Sequence, residues 1–489
     1  MNFRVVLFVL SLIGSIVSGS MFLPAAWAWF DGTPDAAVLL RCAVFSLAAC
    51  VALALVTRPS RKSAPGRSDI GVREAFAIVS FSWVVASVIG ALPYVLHGTT
   101  ANFTDAFFEA MSGFTTTGAS ILVNIEGNPR GILLWRALTH WLGGMGIIVL
   151  SLTILPFIGG GGGMQLFKAE SPGPLPEKLT PRLQQTAAIL WEIYIFLTAL
   201  EVGALMLCGT SFYEGVTHAF ATVATGGFSI YNDSIAHFRS PAVEWVVTAF
   251  TFLAGVNFSL HYLFLRGCFG AYFKDDEFRW YVRIILIVAA AVACSALKSG
   301  MDMPFGQALR HAAFQTTTLM TTTGFMVTDT LQWPYFAQMA LLAIMLVGGC
   351  AGSTSGGIKV VRFMIAARHA KNDMIRSLQP HRVLCVRVNG KPQESRVVST
   401  VLSFFVCYIV ILIAVSLFLA ALGIDLLSSF SGALACVSNV GPGLGAFGPA
   451  SNYASVPAAG KWVLAFAMLV GRLELTTVLL LFVPDTWRR

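Results

Sequence analysis

The sequence predicts an all-α polytopic membrane protein: four span–pore-loop–span repeats with pseudo-four-fold symmetry around one pore, preceded by two further spans. Three observations carry this. Charged residues make up 11% of the 489 residues and hydrophobic ones 56%, with a mean hydropathy of +0.74. A soluble domain carries about 25% charged residues, so lipid is the solvent for most of this chain. Ten apolar runs reach the roughly 20 residues that a helix needs to cross a bilayer. Four shorter apolar segments lie between certain of these runs, and each ends at a glycine.

The long runs lie near 3–23, 37–57, 74–97, 131–157, 185–208, 242–266, 280–299, 334–350 (continuing, interrupted, to about 370), 396–422 and 459–483. The first contains Ala26-Trp27-Ala28 just beyond its end, which imitates a signal cleavage site. Its apolar stretch is longer than the roughly 7–15 residues of a signal core, so a retained helix is expected. Lys and Arg concentrate in 58–73, 159–183, 266–283 and 359–396 and at Arg488 and Arg489. All of these fall on one side if the spans alternate, and the positive-inside rule makes that side the cytoplasm. The expectation is a multi-pass protein of a bacterial inner membrane with both termini cytoplasmic. The net charge of +8 is then an orientation signal rather than a nucleic-acid surface. Residues 1–72 form a two-helix extension, followed by repeats at 73–183, 184–279, 280–395 and 396–489.

The four short segments, near 104–114, 212–222, 306–320 and 427–437, are too short to cross and all lie on the outer side. They read DAFFEAMSGFTTTGA, YEGVTHAFATVATGG, HAAFQTTTLMTTTGF and SSFSGALACVSNVGP. Aligned on Gly118, Gly226, Gly324 and Gly441, they are 108, 98 and 117 residues apart. Before each glycine stand Thr116-Thr117, Ala224-Thr225, Thr322-Thr323 and Asn439-Val440, with no acidic side chain. An ion stripped of water still needs oxygen ligands, and inward-turned backbone carbonyls supply them in carbonyl-ring filters. Glycine adopts the backbone angles this requires. A short helix aimed at the pore centre places its partly negative C-terminal end there, favouring a cation.

With FFEAMSGFTTTGA first and FQTTTLMTTTGF third, the chain resembles the Trk/Ktr/HKT superfamily of potassium transporters over essentially its whole length. The two extra spans make it similar to the TrkH-like members. The resemblance implies that carbonyls of the residues just named line an ion path preferring potassium over sodium. The fourth repeat departs most, with SNVGPG in place of TTTG. The resemblance also implies a homodimer working with a cytosolic nucleotide-binding regulatory subunit, called TrkA in that system. The basic segment Arg362 to Arg396 is a docking candidate. A sodium-coupled symporter, or a secondary transporter of another solute, is the alternative.

The span beginning near Trp333 is interrupted by VGGCAGSTSGGIKVVRF. Gly348, Gly349, Gly352, Gly356 and Gly357 weaken a helix by about 1 kcal/mol each relative to alanine. Ser353, Thr354 and Ser355 stand among them, followed by Lys359. Non-helical backbone at membrane depth must face protein or a water-filled cavity, so a pore-lining loop below the filter is expected. The resemblance makes it an intramembrane gate. No GxxxxGK[ST] pattern exists, since Ile358 separates Gly357 from Lys359, and no nucleotide is expected on this chain. Gly443, Gly445 and Gly448 match GxGxxG but follow the fourth filter rather than a strand. Arg472, in the last span, costs about 2.5–3.5 kcal/mol to insert. It is expected to face the interior near Glu474 or the glycine loop, its charge limiting cation occupancy as in the resembled family.

Glu109 is expected to attract cations. Glu192, Glu201, Arg136, His140 and His261 read as packing or inter-helix hydrogen-bonding groups. The nine cysteines lack any CxxC pair and read as small buried hydrophobes. No HExxH, GxSxG or His/Cys cluster supports an enzyme.

Overall fold

The computed structural model describes residues 2–58, 71–146, 183–299, 303–473 and 475–484. The basic stretch 59–70, the five glycines Gly159 to Gly163, Glu474 and the two terminal arginines lie outside the described residues.

Helices α1 (Phe3–Ser20) and α2 (Phe22–Phe30) run on into each other, and α3 (Asp35–Thr57) returns beside them. The first span therefore reaches Phe30 rather than ending near residue 23. Four units of one plan follow. The first holds α4 (Val72–His97), α5 (Phe103–Phe114) and α6 (Arg130–Gly144). The second holds α7 (Leu183–Leu207), α8 (Phe212–Val223), α9 (Pro241–Ala254) and α10 (Phe258–Leu265). A single turn, α11 (Ala271–Lys274), leads to the third, with α12 (Asp276–Lys298), α13 (Phe305–Met320), α14 (Tyr335–Ile344) and α15 (Val360–Leu378). After a hairpin, β1 (Arg387–Val388) and β2 (Lys391–Pro392), the fourth holds α16 (Ser395–Ala421), α17 (Leu426–Val437), α18 (Ala458–Arg472) and α19 (Leu475–Leu479).

The long helices are apolar on both faces, as lipid requires. On α16, Val401, Phe404, Tyr408, Leu412 and Val415 are buried, while Leu402, Val406, Ile409, Ile413 and Leu417 on the other face are exposed. The short helices α5, α8, α13 and α17 match the four short segments. At 12, 12, 16 and 12 residues, they rise about 18–24 Å and cannot cross a core of about 30 Å. Three start on side-chain caps: Asn102, Ser211 in a capping box with Glu214, and Asp425.

Ten spans are expected, the eighth of them interrupted; among the described residues six helices are long and apolar enough to cross a membrane, or seven if a bent pair counts as one. The shortfall falls on the second span of every unit, not the third alone. Helix α6 stops at Gly144, α9 and α10 bend by 99° about Gly255–Asn257, α14 stops at Ile344, and α18 stops at Arg472. The continuation of α6 toward residue 157 lies outside the described residues. In three of the four units a glycine at the break lies against the end of a pore helix. A Cβ on Gly143 would collide with the Phe114 carbonyl, and one on Gly471 with the Val437 carbonyl. At Gly255 it would stand 2.6 Å from the Thr321 methyl. Where a crossing helix must meet backbone this closely, only glycine fits. His261 bridges the bend of the second unit: its Nε2 lies 3.0 Å from the Leu253 carbonyl and its Nδ1 2.6 Å from the Tyr272 hydroxyl.

The cysteines are mixed rather than uniformly buried: Cys42, Cys350 and Cys436 are buried, and Cys268, Cys294 and Cys385 are exposed.

A buried carboxylate helps tie the N-terminal pair to the first unit. Pro129 at the head of α6 has no side chain to cap it, and the buried Asp35 accepts from Ile132 N at 3.1 Å. Replacing Asp35 with alanine leaves that buried donor unmet, at about 1–3 kcal/mol. A lower melting temperature in detergent is expected for Asp35→Ala, and recovery of most of the loss for Asp35→Asn.

Candidate functional site

Each pore helix ends in the same way. Its C-cap is Thr115, Ala224, Thr321 or Ser438, and the next residue turns left-handed. Thr116, Thr225, Thr322 and Asn439 have φ of 52°, 54°, 58° and 57°, and two residues on Gly118, Gly227, Gly324 and Gly441 have 82°, 82°, 81° and 95°. The residues between, Thr117, Gly226, Thr323 and Val440, do not share the positive φ. This alternation turns successive carbonyls toward one side, as in carbonyl-ring filters. It also corrects the frame of the second repeat by one residue. Ala224 is a helix cap, and Gly227, not Gly226, matches Gly118.

The four turns close into a ring. A Cβ on Gly118 would strike the Gly226 carbonyl, one on Gly227 the Thr323 carbonyl, and one on Gly324 the Val440 carbonyl. One on Gly441 would come within 2.6 Å of the Thr117 carbonyl. Each glycine thus abuts the next repeat, and the fourth returns to the first. One open cavity is lined by all four glycines, and Arg136 is the one charged residue of its lining.

Buried side chains hold the ring. Thr115 and Thr117 hydroxyls pair at 2.8 Å, and Thr321 and Thr323 repeat the pairing at 2.9 Å. Asn439 departs from the threonine pattern usefully: its Nδ2 donates to Thr117 Oγ1 and to the Met468 carbonyl, each at 2.9 Å. It therefore ties the last turn to the first. Tyr453 donates to the Gly441 carbonyl at 2.8 Å. Glu109 is not free to attract cations. It is fully buried and paired with Arg136 at 2.7 Å, and it accepts from Ser120 Oγ and Ile121 N, each at 2.9 Å. Arg136 in turn donates to the Ser229 carbonyl at 2.7 Å and lies 3.5 Å over the Phe228 ring. The pair braces the chain leaving the first two turns. His140, one helical turn along α6, packs edge-on against Phe228, and a Cβ on Gly226 would overlap its ring.

Below the ring lies the segment between α14 and α15. Gly348, Gly352, Gly357 and Lys359 all have positive φ, and Ser353, Thr354, Ser355 and Lys359 are buried. Gly349 N is bonded to Ser355 Oγ, which also pairs with Ser353 Oγ at 2.7 Å. Lys359 Nζ donates to the Ser355 carbonyl. Thr354 Oγ1 donates to the Val223 carbonyl at the end of α8, at 3.0 Å. Gly356 N donates to Thr322 Oγ1 at 2.6 Å, and a Cβ on Gly356 would strike the Ser438 carbonyl. Arg472 completes the set. It donates to the Thr354 carbonyl at 2.7 Å and to the Gly143 and Gly144 carbonyls at 2.8 Å each. The loop is thereby bonded to the second, third and fourth repeats, and Arg472 links it to the first.

The expected residues thus converge in two layers, a carbonyl ring and a loop under it. Gly227, Gly143, Gly255 and Gly471 were not legible as site residues. The tandem Gly226-Gly227 left its frame open, and the others act through contacts distant in sequence. Among the described residues, no group of three or more His, Cys, Asp or Glu side chains could hold a metal.

Fold and ring together define a four-repeat pore-loop membrane protein. The TrkH family model, described as a cation transport protein, matches residues 43–488. The chain is 37% identical to the Trk system potassium uptake protein TrkH of Escherichia coli K12, with all of both chains covered. It is also 37% identical to the protein of the same name from Halomonas elongata, over 89% of this chain and 90% of that one. It matches the crystal structure of the potassium transporter TrkH from Vibrio parahaemolyticus with a TM-score of 0.89 and 34% identity, over the full length of both. The chain belongs to the TrkH family of cation transport proteins.

Removing one partner of a buried ion pair costs about 3–5 kcal/mol. Arg136→Met, which strands Glu109, is therefore expected to lower thermal stability sharply, and Arg136→Met with Glu109→Gln to recover part of it. No recovery in the double variant would count against the bracing role.

Proposed function

We propose that this protein takes up potassium across the bacterial inner membrane through the carbonyl ring, driven by the membrane potential. The observation that carries this reading is the closed ring of four turns at the C-terminal ends of four short helices. Carbonyls of Thr116, Thr117, Gly118, Thr225, Gly226, Gly227, Thr322, Thr323, Gly324, Asn439, Val440 and Gly441 are the ligand set in this reading, with Gly227 replacing Ala224. Each helix end carries about half a negative charge, so a dehydrated monovalent cation is favoured with no carboxylate in the cavity above. A potential of 100 mV supplies about 2.3 kcal/mol per charge, roughly fifty-fold accumulation at 1.4 kcal/mol per decade.

In this reading the Met345–Lys359 segment is the gate. Its bonds to Val223, Thr322 and Arg472 must break for an ion to pass. Arg472 adds a positive charge just below the ring, opposing cations while the loop is in place. The basic side, with both termini, faces the cytoplasm. A homodimer and a cytosolic nucleotide-binding subunit complete the system; Met374, Leu378 and Val383 are strongly exposed on the basic side and suit such a contact.

Radioactive rubidium uptake into proteoliposomes tests the reading. Competition by potassium, and little by sodium, is expected; equal competition would overturn it. Gly118→Ser and Gly324→Ser, which force a Cβ into the neighbouring carbonyl at positive φ, are expected to erode the potassium preference. Arg472→Ala is expected to raise flux several-fold, and unchanged flux would remove Arg472 from the gate.

A further inference from the structure

One buried carboxylate outside the ring touches the loop at two points. Glu277 is the second residue of α12. Its Oε1 accepts from Ala351 N at 2.7 Å and from Val361 N at 3.0 Å. These amides bracket the stretch that holds Gly352, Ser353, Thr354, Ser355, Gly356, Gly357 and Lys359. Val361 N is among the amides left without partners at the start of α15, and Lys359, at its N-cap, makes no side-chain cap. The carboxylate therefore caps α15 from another helix, favourably placed at the positive end of that helix. The same atom also pins the loop where it begins.

The two residues before Glu277 face the other way. Asp275 caps α12 through Phe278 N at 2.7 Å and accepts from Asn389 Nδ2 at 2.8 Å. Asp276 N donates to Asn389 Oδ1 at 2.7 Å, and its carboxylate accepts from Asn389 N at 3.1 Å and from Arg368 at 2.9 Å. Asn389 and Gly390 form the turn of the β1–β2 hairpin, both at positive φ, the geometry of a tight two-residue turn. Three consecutive residues thus connect a hairpin on the basic side to both ends of the loop.

We infer that Glu277 is a positioning residue that holds the loop in its place under the ring, and that the hairpin sets the position of Glu277, so that displacing the hairpin releases the loop. This rests on the reading of the loop as the gate. Protein binding at the hairpin would then reach the ion path through a single turn of helix.

The test uses the purified full-length chain in lipid nanodiscs and proteoliposomes. N-ethylmaleimide labelling of Cys350, buried beside Ala351, is read by peptide mass spectrometry alongside rubidium flux. Glu277→Ala is expected to raise Cys350 labelling and flux together, each several-fold. Glu277→Gln keeps an oxygen acceptor and is expected to restore most of the protection. Asn389→Ala, in the hairpin turn, is expected to shift both readouts toward Glu277→Ala. Flux raised by Arg472→Ala, with labelling and flux unchanged in Glu277→Ala, would overturn the clasp and leave the gate standing. Flux unchanged in both variants would remove the gate and the clasp with it. If Glu277→Ala fails to fold on size-exclusion, Asn389→Ala decides: labelling at the wild-type rate overturns the link to the hairpin.

Discussion

Four residues held at left-handed φ set most of this structure. Thr116, Thr225, Thr322 and Asn439 each follow a pore helix, and three are β-branched, the type that tolerates this conformation least. Such a residue costs of order 1–3 kcal/mol and persists only where its surroundings over-determine it. The surroundings here are the pore-helix ends, the neighbouring repeat and a set of buried hydroxyl and amide bonds. Without the turn, the carbonyls after each helix would alternate between two sides and no ring would close.

The breaks in the second spans follow from that ring. A short helix ending inside the bundle brings its last carbonyl against the next crossing helix, as Phe114 meets Gly143 and Val437 meets Gly471. The crossing helix must be thin there, and its own hydrogen-bond ladder stops. Each stop leaves backbone groups unpaired in a place without bulk water, and these become acceptors for other parts of the site. Arg472 takes the Gly143 and Gly144 carbonyls, and Thr354 lies within hydrogen-bond distance of that of Ala254. Irregular backbone at this depth is satisfied by protein.

What could be read from the sequence was the part set locally. Pore-helix limits came within a residue or two, because Asn102, Ser211 and Asp425 are strong caps and a glycine follows each helix closely. The ring frame was legible where one glycine stood alone, at Gly118, Gly324 and Gly441. It slipped where two stood together, since composition does not say which of Gly226 and Gly227 carries the positive φ. Hydropathy counts apolar length and is blind to continuity, so three broken spans looked whole. Glu109 stands 27 residues from Arg136, and Glu277 stands 74 and 84 residues from the amides it holds. No local pattern announces such partners.

The four repeats are alike in the ring and unlike beneath it. Among the described residues, the third inserts the segment between Ile344 and Val360, the fourth supplies Arg472 at its break, and the first offers Gly143 and Gly144 to receive it. Asn439 belongs to the same asymmetry, trading a threonine hydroxyl for an amide that reaches across to Thr117. A ring that discriminates by carbonyl geometry needs its four sides equivalent, whereas a barrier that opens needs one side to move against the others. In the proposed function, keeping the symmetry at the glycines and breaking it one layer below would let the same four turns meet both requirements.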